Sequence, residues 1–582
     1  MTASESDTIE KFSHKENEYP PPRIVAENAL LKDAKAEYER WRENPDAFWA
    51  AEAEKFVWLK KWDKVSSFDG VNHEWFVGGK INITLNMLDR HANLDKRDKI
   101  AYIWLGENGE ERKVSYRELL ESVCRFANGL KSLNVKKGDR VIIYMPLTIE
   151  GVVAMLACAR IGAIHSVVYA GLGQAALRDR IVDADAKIVV AGDVGFRRGK
   201  TIDLKSIVDE AVKDFPSVEK VVLFRRSTET PTNNSTLAAE PDEISHGSLE
   251  YLDSDKNESA IGERDSFVDA DILDREIDFA DLMKFPAKCE AEAMDAEDIL
   301  FILYTSGTTG LPKGVVHCHQ IQERLIDSAK TVLQLEPDDF FWCSADAGWV
   351  TGLCYGIFAP WLLGFPILIY EGEFDVHRWL DILERNQVTC FYTTPTLLRL
   401  LRNEVGDISK HRNFALRRVY SVGELLNPEV IKWAERTFDA RVFDNYWQTE
   451  TGSFIIANRP NMLVKRGAMG KAVEGVQVSI IDNSGREVPN GVVGDIAIRP
   501  TLTSLFKGCW NFPEATRAWF RAGWYITRDR GKRDADDYFW FMARNDNVIM
   551  CQAQRIGPFE VENALLSHPA IAESAAVGAK TK

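Results

Sequence analysis

Nine cysteines are scattered through the 582 residues, and no two of them stand at C-x-x-C spacing. That arrangement predicts neither a disulfide framework nor a zinc site, and a reducing compartment suits it best. Apolar runs of membrane-spanning length are missing too. The best candidate, Val141–Ile164, is broken by Pro146, Glu150 and Arg160. The opening MTASESDTIEKFSHKENEYPPPR lacks the apolar core of a signal peptide. Positive charge is in deficit, with a formal net charge of -16 at pH 7. Broad nucleic-acid binding is thereby disfavoured, although a local basic pocket for phosphates stays open. These absences predict a soluble, cytoplasmic protein whose partners are small molecules, with no nucleic acid and no membrane among them. No internal repeat is visible.

What is present fits a folded chain. Hydrophobic residues make up 45% and aromatic ones 10%, and the length allows a large core and more than one domain. A charged, Pro-broken start turns helical and Trp-rich from about Asp33 to Trp62. Beyond Tyr102, short apolar runs alternate with amphipathic stretches. Arg140–Tyr144 and Lys187–Val190 read as buried strands, and Tyr116–Leu133 as a helix burying Leu119, Val123, Phe126 and Leu130. Strands follow at Ile299–Leu303, Phe365–Ile369, Arg418–Val422 and Arg441–Phe443. Such alternation predicts an α/β fold with parallel sheets. Val476–Ile481 and Asp495–Ile498, with turns at Asn483–Gly485 and Asn490–Gly491, read as antiparallel strands of a β-rich subdomain. From about Ser227 to Asp278 the chain is polar, acidic and poor in large apolar groups, the composition of a surface insertion.

The sharpest local feature is YTSGTTGLPKG, Tyr304–Gly314, placed directly after the strand-like ILFIL. Glycines let the backbone turn tightly, hydroxyls and exposed N–H groups can donate to phosphate oxygens, and Lys313 adds a mobile positive charge. Pro312 before the lysine and Gly314 after it exclude the Walker spacing, and with it a P-loop kinase or GTPase. The plain alternative is a Ser/Thr/Gly surface turn.

This string resembles the phosphate-loop signature of the acyl-adenylate-forming enzymes. SADAGWVTG (Ser344–Gly352), SVGELLNPE (Ser421–Glu429) and NYWQTETG (Asn445–Gly452) are similar to the acetyl-CoA synthetase branch. FMARNDNVIMCQAQRIGPFEVENALLSHPAIAES resembles both acetyl-CoA and medium-chain acyl-CoA synthetases. The resemblance runs from about Tyr38 to the last residue, the acidic insertion excepted. It implies a large AMP-binding domain over residues 1–545, and a truncated small C-terminal α+β domain over 546–582 that hinges at Asp546. It also implies the substrates ATP, coenzyme A and a short carboxylic acid, with Mg2+.

The same resemblance implies roles for residues. Thr305, Ser306, Gly307, Thr308, Thr309, Gly310 and Lys313 would hold the polyphosphate, Thr449 the α-phosphate, and Glu450 the Mg2+ as a hard oxygen donor. Gly423, Glu424 and Leu425, with Asp444, Asn445, Tyr446, Trp447 and Gln448, would face the adenine. Asp529 would grip the ribose hydroxyls, and Arg544 and Arg555 would serve the nucleotide. Trp349, Val350, Thr351, Val422 and Trp447 map onto an acyl pocket, and a Trp at 447 implies acetate or propionate. Gly162–His165, Arg197, Arg198 and Lys200 would receive the nucleotide end of CoA, with Thr351, Gln552 and Ala553 along its tunnel.

Departures from the family pattern cluster near the end. Thr-Gly-Asp reads Thr527-Arg528-Asp529, and Asp-Gly-Tyr reads Asp536-Asp537-Tyr538. Gly-Arg reads Ala543-Arg544, and alanine stands at 553 where the family has glycine. No residue matches the lysine that other members use for adenylation. An acyl-adenylate former with a non-CoA acceptor, and a catalytically impaired nucleotide-binding homologue, therefore stand as alternatives to the CoA ligase.

Overall fold

The computed structural model describes residues 18–21, 27, 29–68, 73–92, 98–226, 274–305, 312–405 and 412–544, and within the last stretch 549–551, 554–556, 565, 571, 574 and 576. Two large sheets dominate. The first (sheet A) is seven-stranded, in the spatial order Glu276–Asp278, Lys220–Phe224, Ile188–Gly192, Arg140–Tyr144, Ile164–Val167, Ile299–Thr305 and Lys313–Cys318. All its neighbours run parallel except the last pair. The second (sheet B) is nine-stranded, and its centre, Ile100–Leu105, Ile367–Tyr370, Phe341–Cys343, Cys390–Thr393, Arg418–Ser421 and Arg441–Tyr446, is parallel throughout.

The period-2 alternation of these strands builds the layers. In sheet A, Val141 and Ile143 face one core while Ile142 and Tyr144 face another. In sheet B, Cys390, Tyr392 and Tyr420 join the first core, whereas Phe391 and Val419 join a third. The shared core between the sheets also takes the helices Tyr116–Ser132, Ile149–Ile161 and Ile321–Ser328. Gln174–Ala184 and Leu204–Val212 cover the outer face of sheet A. Val376–Arg385 and Pro428–Phe438 cover the outer face of sheet B. The molecule is thus layered helix–sheet–helix–sheet–helix. The expected helix at 116 is present with Leu119, Val123, Phe126 and Leu130 all fully buried. It opens on a capping box, Ser115 with Glu118. No helix among the described residues is long and apolar enough to cross a membrane.

A smaller antiparallel sheet (sheet C), built from Val478–Ile481, Gly494–Ile498, Trp524–Arg533, Phe520–Arg521 and Phe539–Arg544, is the β-rich subdomain. Two readings need adjustment. The Trp-rich start is two helices, Ala34–Glu43 and Pro45–Ala53, because Asn44 ends one and caps the next, with Pro45 in its first turn. The acidic insertion stops short of 278, since Glu276–Asp278 forms the outermost strand of sheet A against Val221–Leu223. Such a strand needs only backbone hydrogen bonds, so its composition hides it. Residues 227–273 lie outside the described set, as does most of 546–582.

Asp537 holds a left-handed backbone, φ 66°, at one of the positions where the family pattern has glycine. Its carboxylate only approaches Arg533, at 3.8 Å and largely exposed to solvent, an ion pair worth little. Asp537→Gly should therefore raise stability by about 1 kcal/mol, read as a higher midpoint in urea or heat. A lower midpoint would show that the side chain outweighs the backbone strain.

Candidate functional site

A cleft of about 910 Å³ opens where sheets A, B and C meet. It lies outside the carboxyl ends of the sheet B strands Arg418–Ser421 and Arg441–Tyr446, where open α/β sheets bind ligands. The segments leaving those strands, Val422–Leu425 and Trp447–Glu450, form much of its wall. Thr305 and Lys313 enter from sheet A as facing partners in the antiparallel pair that brackets the glycine-rich loop. The loop thus joins two strands of sheet A. Ser306, Gly307, Thr308, Thr309 and Gly310 lie outside the described residues. The Lys313 ammonium has no hydrogen-bond or ion-pair partner among the described residues.

The segment Asp444–Glu450 is held from every side. Tyr392 donates its hydroxyl to Asn445 Oδ1 (2.8 Å) and accepts from Trp447 Nε1 (3.1 Å). Tyr446 Oη and Gln448 Nε2 donate to Asp529 Oδ2 at 2.6 and 2.8 Å. Gln448 also bonds the Thr527 carbonyl and accepts from Tyr525. His317 Nε2 donates to the Thr449 carbonyl at 2.7 Å, anchoring the turn from behind. Gly452 closes that turn at φ 65°, where a Cβ would sit 2.7 Å from the Ser504 carbonyl and 2.8 Å from His317.

Electrostatics single out the carboxyls. Burial raises the Glu450 carboxyl above its ordinary value, with Arg528 and then Arg544 among the groups opposing the shift. No cation lies within ion-pairing distance of Glu450 among the described residues, so a lone buried carboxylate faces the cleft. A hard cation fits there, and Mg2+ is the one the motif implies. Burial pushes Asp444 well above the usual carboxylate range. Asn445 keeps a buried Nδ2 without a partner among the described residues.

The remaining expected residues divide by place. Val350, Thr351, Val422 and Trp447 all line the cleft. There Trp447 stands edge-on to Tyr355 at 5.0 Å. Thr351 opens the π-helical segment Thr351–Phe358, a local irregularity frequent at functional sites. Trp349 also lines the cleft but is 63% exposed, at the rim. Gly423, Leu425, Asp529 and Arg544 are in the lining. Glu424 is there too, but its carboxylate is engaged by Thr396 and Arg399, which leaves its backbone for a ligand. Arg197, Arg198 and Lys200 sit on a hairpin that contributes nothing to the cleft lining. Both of its arginines pair with Glu373. His165 is fully buried between Phe301 and Phe358, which keeps its side chain from any ligand. Asp546, Gln552 and Ala553 lie outside the described residues, and Arg555 is described only as part of the strand Gln554–Ile556.

Trp519, Arg528, Met469, Phe541 and Met542 line the cleft and were not expected there. His317 supports it from behind. The only signal in the sequence was the odd Thr-Arg-Asp, where an arginine interrupts a turn pattern.

Comparison with known proteins matches residues 88–510 to the model of the AMP-binding enzymes and residues 34–87 to that of the acetyl-coenzyme A synthetase N-terminus. An acetyl-coenzyme A synthetase of Rubrobacter xylanophilus is 39% identical over 96% of this chain and 83% of its own length. One from Methanothrix thermoacetophila is 38% identical over 91% and 78%. Acetyl-coenzyme A synthetase 2 of Pseudomonas aeruginosa is 38% identical over 96% and 84%.

Proposed function

Because the chain belongs to the acetyl-coenzyme A synthetase family of AMP-binding enzymes, we infer that it is an AMP-forming ligase joining acetate to coenzyme A at the expense of ATP. An acetate oxygen attacks the α-phosphorus, and the bond to the bridging oxygen breaks to release pyrophosphate. The CoA sulfur then attacks the acyl carbon of acetyl-AMP, and AMP leaves with the carbon–oxygen electrons. Both steps spread negative charge over oxygens, so fixed cations and N–H donors are the catalysts they need.

The observation that carries this reading is the composition of one cleft. A buried carboxylate without an ion-pair partner among the described residues, Glu450, and unpaired positive charge on Lys313 share it with the buried indole of Trp447 and with Val350 and Val422. Lys313 and Thr305 would hold the polyphosphate, Thr449 the α-phosphate, and Asp529, oriented by Tyr446 and Gln448, the ribose. Glu450 would hold Mg2+, which when bound neutralises phosphate charge. ATP and CoA as co-substrates, and eight buried free cysteines among the described residues, support a cytoplasmic setting.

Two measurements test it. The chain should catalyse acetate-dependent exchange of labelled pyrophosphate into ATP and form acetyl-CoA with release of AMP. No exchange with acetate or propionate would sink the assignment. Lys313→Ala should weaken ATP binding by about 1.5–3 kcal/mol, the worth of one charge-assisted contact, with folding unchanged. Unaltered ATP affinity would remove Lys313 from the phosphate site.

A further inference from the structure

Arg528 sits in the middle of strand Trp524–Arg533, yet its backbone is left-handed, φ 64°. The cause is a bulge: between the pairs Asp495–Arg530 and Ala497–Ile526, Ile496 alone opposes Thr527, Arg528 and Asp529. Bulges beside active sites re-aim side chains, and this one turns Arg528 into the cleft. Its guanidinium lies 4.0 Å over the Trp519 ring, which also lines the cleft. It has no hydrogen-bond or ion-pair partner among the described residues. The neighbouring arginines of the same sheet are spent: Arg530 approaches Asp495 and Arg521 bonds it. A guanidinium stationed over an indole, with its donors unspent and in the lining of the cleft, suits an anion with several oxygens. Its field also opposes the upward shift that burial imposes on Glu450, the carboxyl assigned above to Mg2+.

We propose that Arg528 is a second phosphate-binding residue beside Lys313, its guanidinium taking oxygens of the β,γ-diphosphate of ATP and of the pyrophosphate that leaves. The inference rests on the nucleotide reading given above. It also gives the left-handed arginine a purpose: a glycine there would relieve the backbone and lose the contact. A planar fork matches two phosphate oxygens at once.

The test is calorimetric titration of the full chain and of Arg528→Gly and Arg528→Lys, using ATP, pyrophosphate and AMP at fixed Mg2+. Arg528→Gly removes backbone strain, so a raised thermal midpoint will certify its folding. It should weaken ATP and pyrophosphate by about tenfold or more while changing AMP less than about twofold. Arg528→Lys should retain most of the ATP affinity. Unchanged ATP and pyrophosphate binding in the glycine variant would leave Arg528 as a stacking partner of Trp519 and overturn the proposal. So would an equal loss for ATP and AMP, which would mean that it acts through Asp529 on the ribose. If the parent bound neither ATP nor AMP, the nucleotide reading itself would have failed.

Discussion

Replacing Trp447 with glycine is expected to move the preference from acetate to acids of four or more carbons. The indole is buried to within 6% of full coverage, in the cleft lining it shares with Val350, Thr351 and Val422. Tyr355 packs against it edge-on at 5.0 Å and Phe454 at 5.9 Å, so it cannot swing aside. In the parent, a longer chain must displace packed side chains, at about 1–3 kcal/mol. In the variant, each methylene that fills the vacated space returns about 0.8 kcal/mol. For butyrate, which has two more methylenes than acetate, the swing is about 3–5 kcal/mol, or roughly two to four orders of magnitude in relative kcat/KM. Part of that gain is given back. Emptying the site costs about 3–5 kcal/mol of stability, and Tyr392 loses the donor that helps fix it against Asn445. Trp447→Phe is therefore the necessary control, since it keeps a smaller aromatic wall while losing the indole N–H. kcat/KM for acetate, propionate, butyrate and hexanoate should be measured in all three proteins, with AMP affinity as the check on Asn445. An unchanged order in the glycine variant, or a parent already preferring hexanoate, would remove Trp447 as the wall and the acetate assignment with it.

What could be read beforehand depended on range. Strands such as Arg140–Tyr144 and Arg418–Ser421 declare themselves because period-2 burial is written into consecutive residues. Helix Tyr116–Ser132 does so because one face alone is apolar. Cleft residues carried on contiguous strings, Thr305 and Lys313 at the two ends of the glycine-rich string and the run Asp444–Glu450, were equally visible. What stayed hidden was partnership across the chain. Tyr392 with Trp447, Tyr525 with Gln448, and His317 with Thr449 are separated by 55, 77 and 132 positions. No local pattern announces such pairs. Arg528 shows the other limit. Its type and its neighbours were plain, but a bulge defined by pairing with Ile496 decides where the side chain points. Strand Glu276–Asp278 failed for a third reason, being an edge strand held by backbone bonds, whose side chains follow no apolar pattern.

The anchoring histidine makes the last and most quantitative expectation. Burial lowers the His317 imidazole to about 4, the Thr449 and Ser504 carbonyls opposing the shift only weakly. Unfolded, a histidine titrates near 6.5. The folded value is the lower one, so the stabilisation is complete above about pH 6.5 and is lost as pH falls from there toward 4. Between pH 7 and 5 the loss is about 2 kcal/mol for this one group. His165 and His319, both buried and lowered to about 3, act in the same direction. Buried carboxyls pull the other way: Asp346 is raised to about 6, and Asp327 and Glu371 to about 7. The total acid response therefore hides any single contribution, and a difference measurement isolates it. His317→Gln keeps a donor for the Thr449 carbonyl but cannot take up a proton. The variant should be less stable than the parent at pH 7, and the gap should shrink by about 2 kcal/mol at pH 5, read from urea midpoints. Within the folded enzyme the ring stays neutral through the working range. The pH profiles of kcat/KM for ATP should therefore have the same shape in both proteins from pH 6 to 8.5. A limb near 6.5 that vanishes in His317→Gln, or a gap that does not close on acidification, would mean that the ring titrates in contact with water and does not act as a buried prop for Thr449.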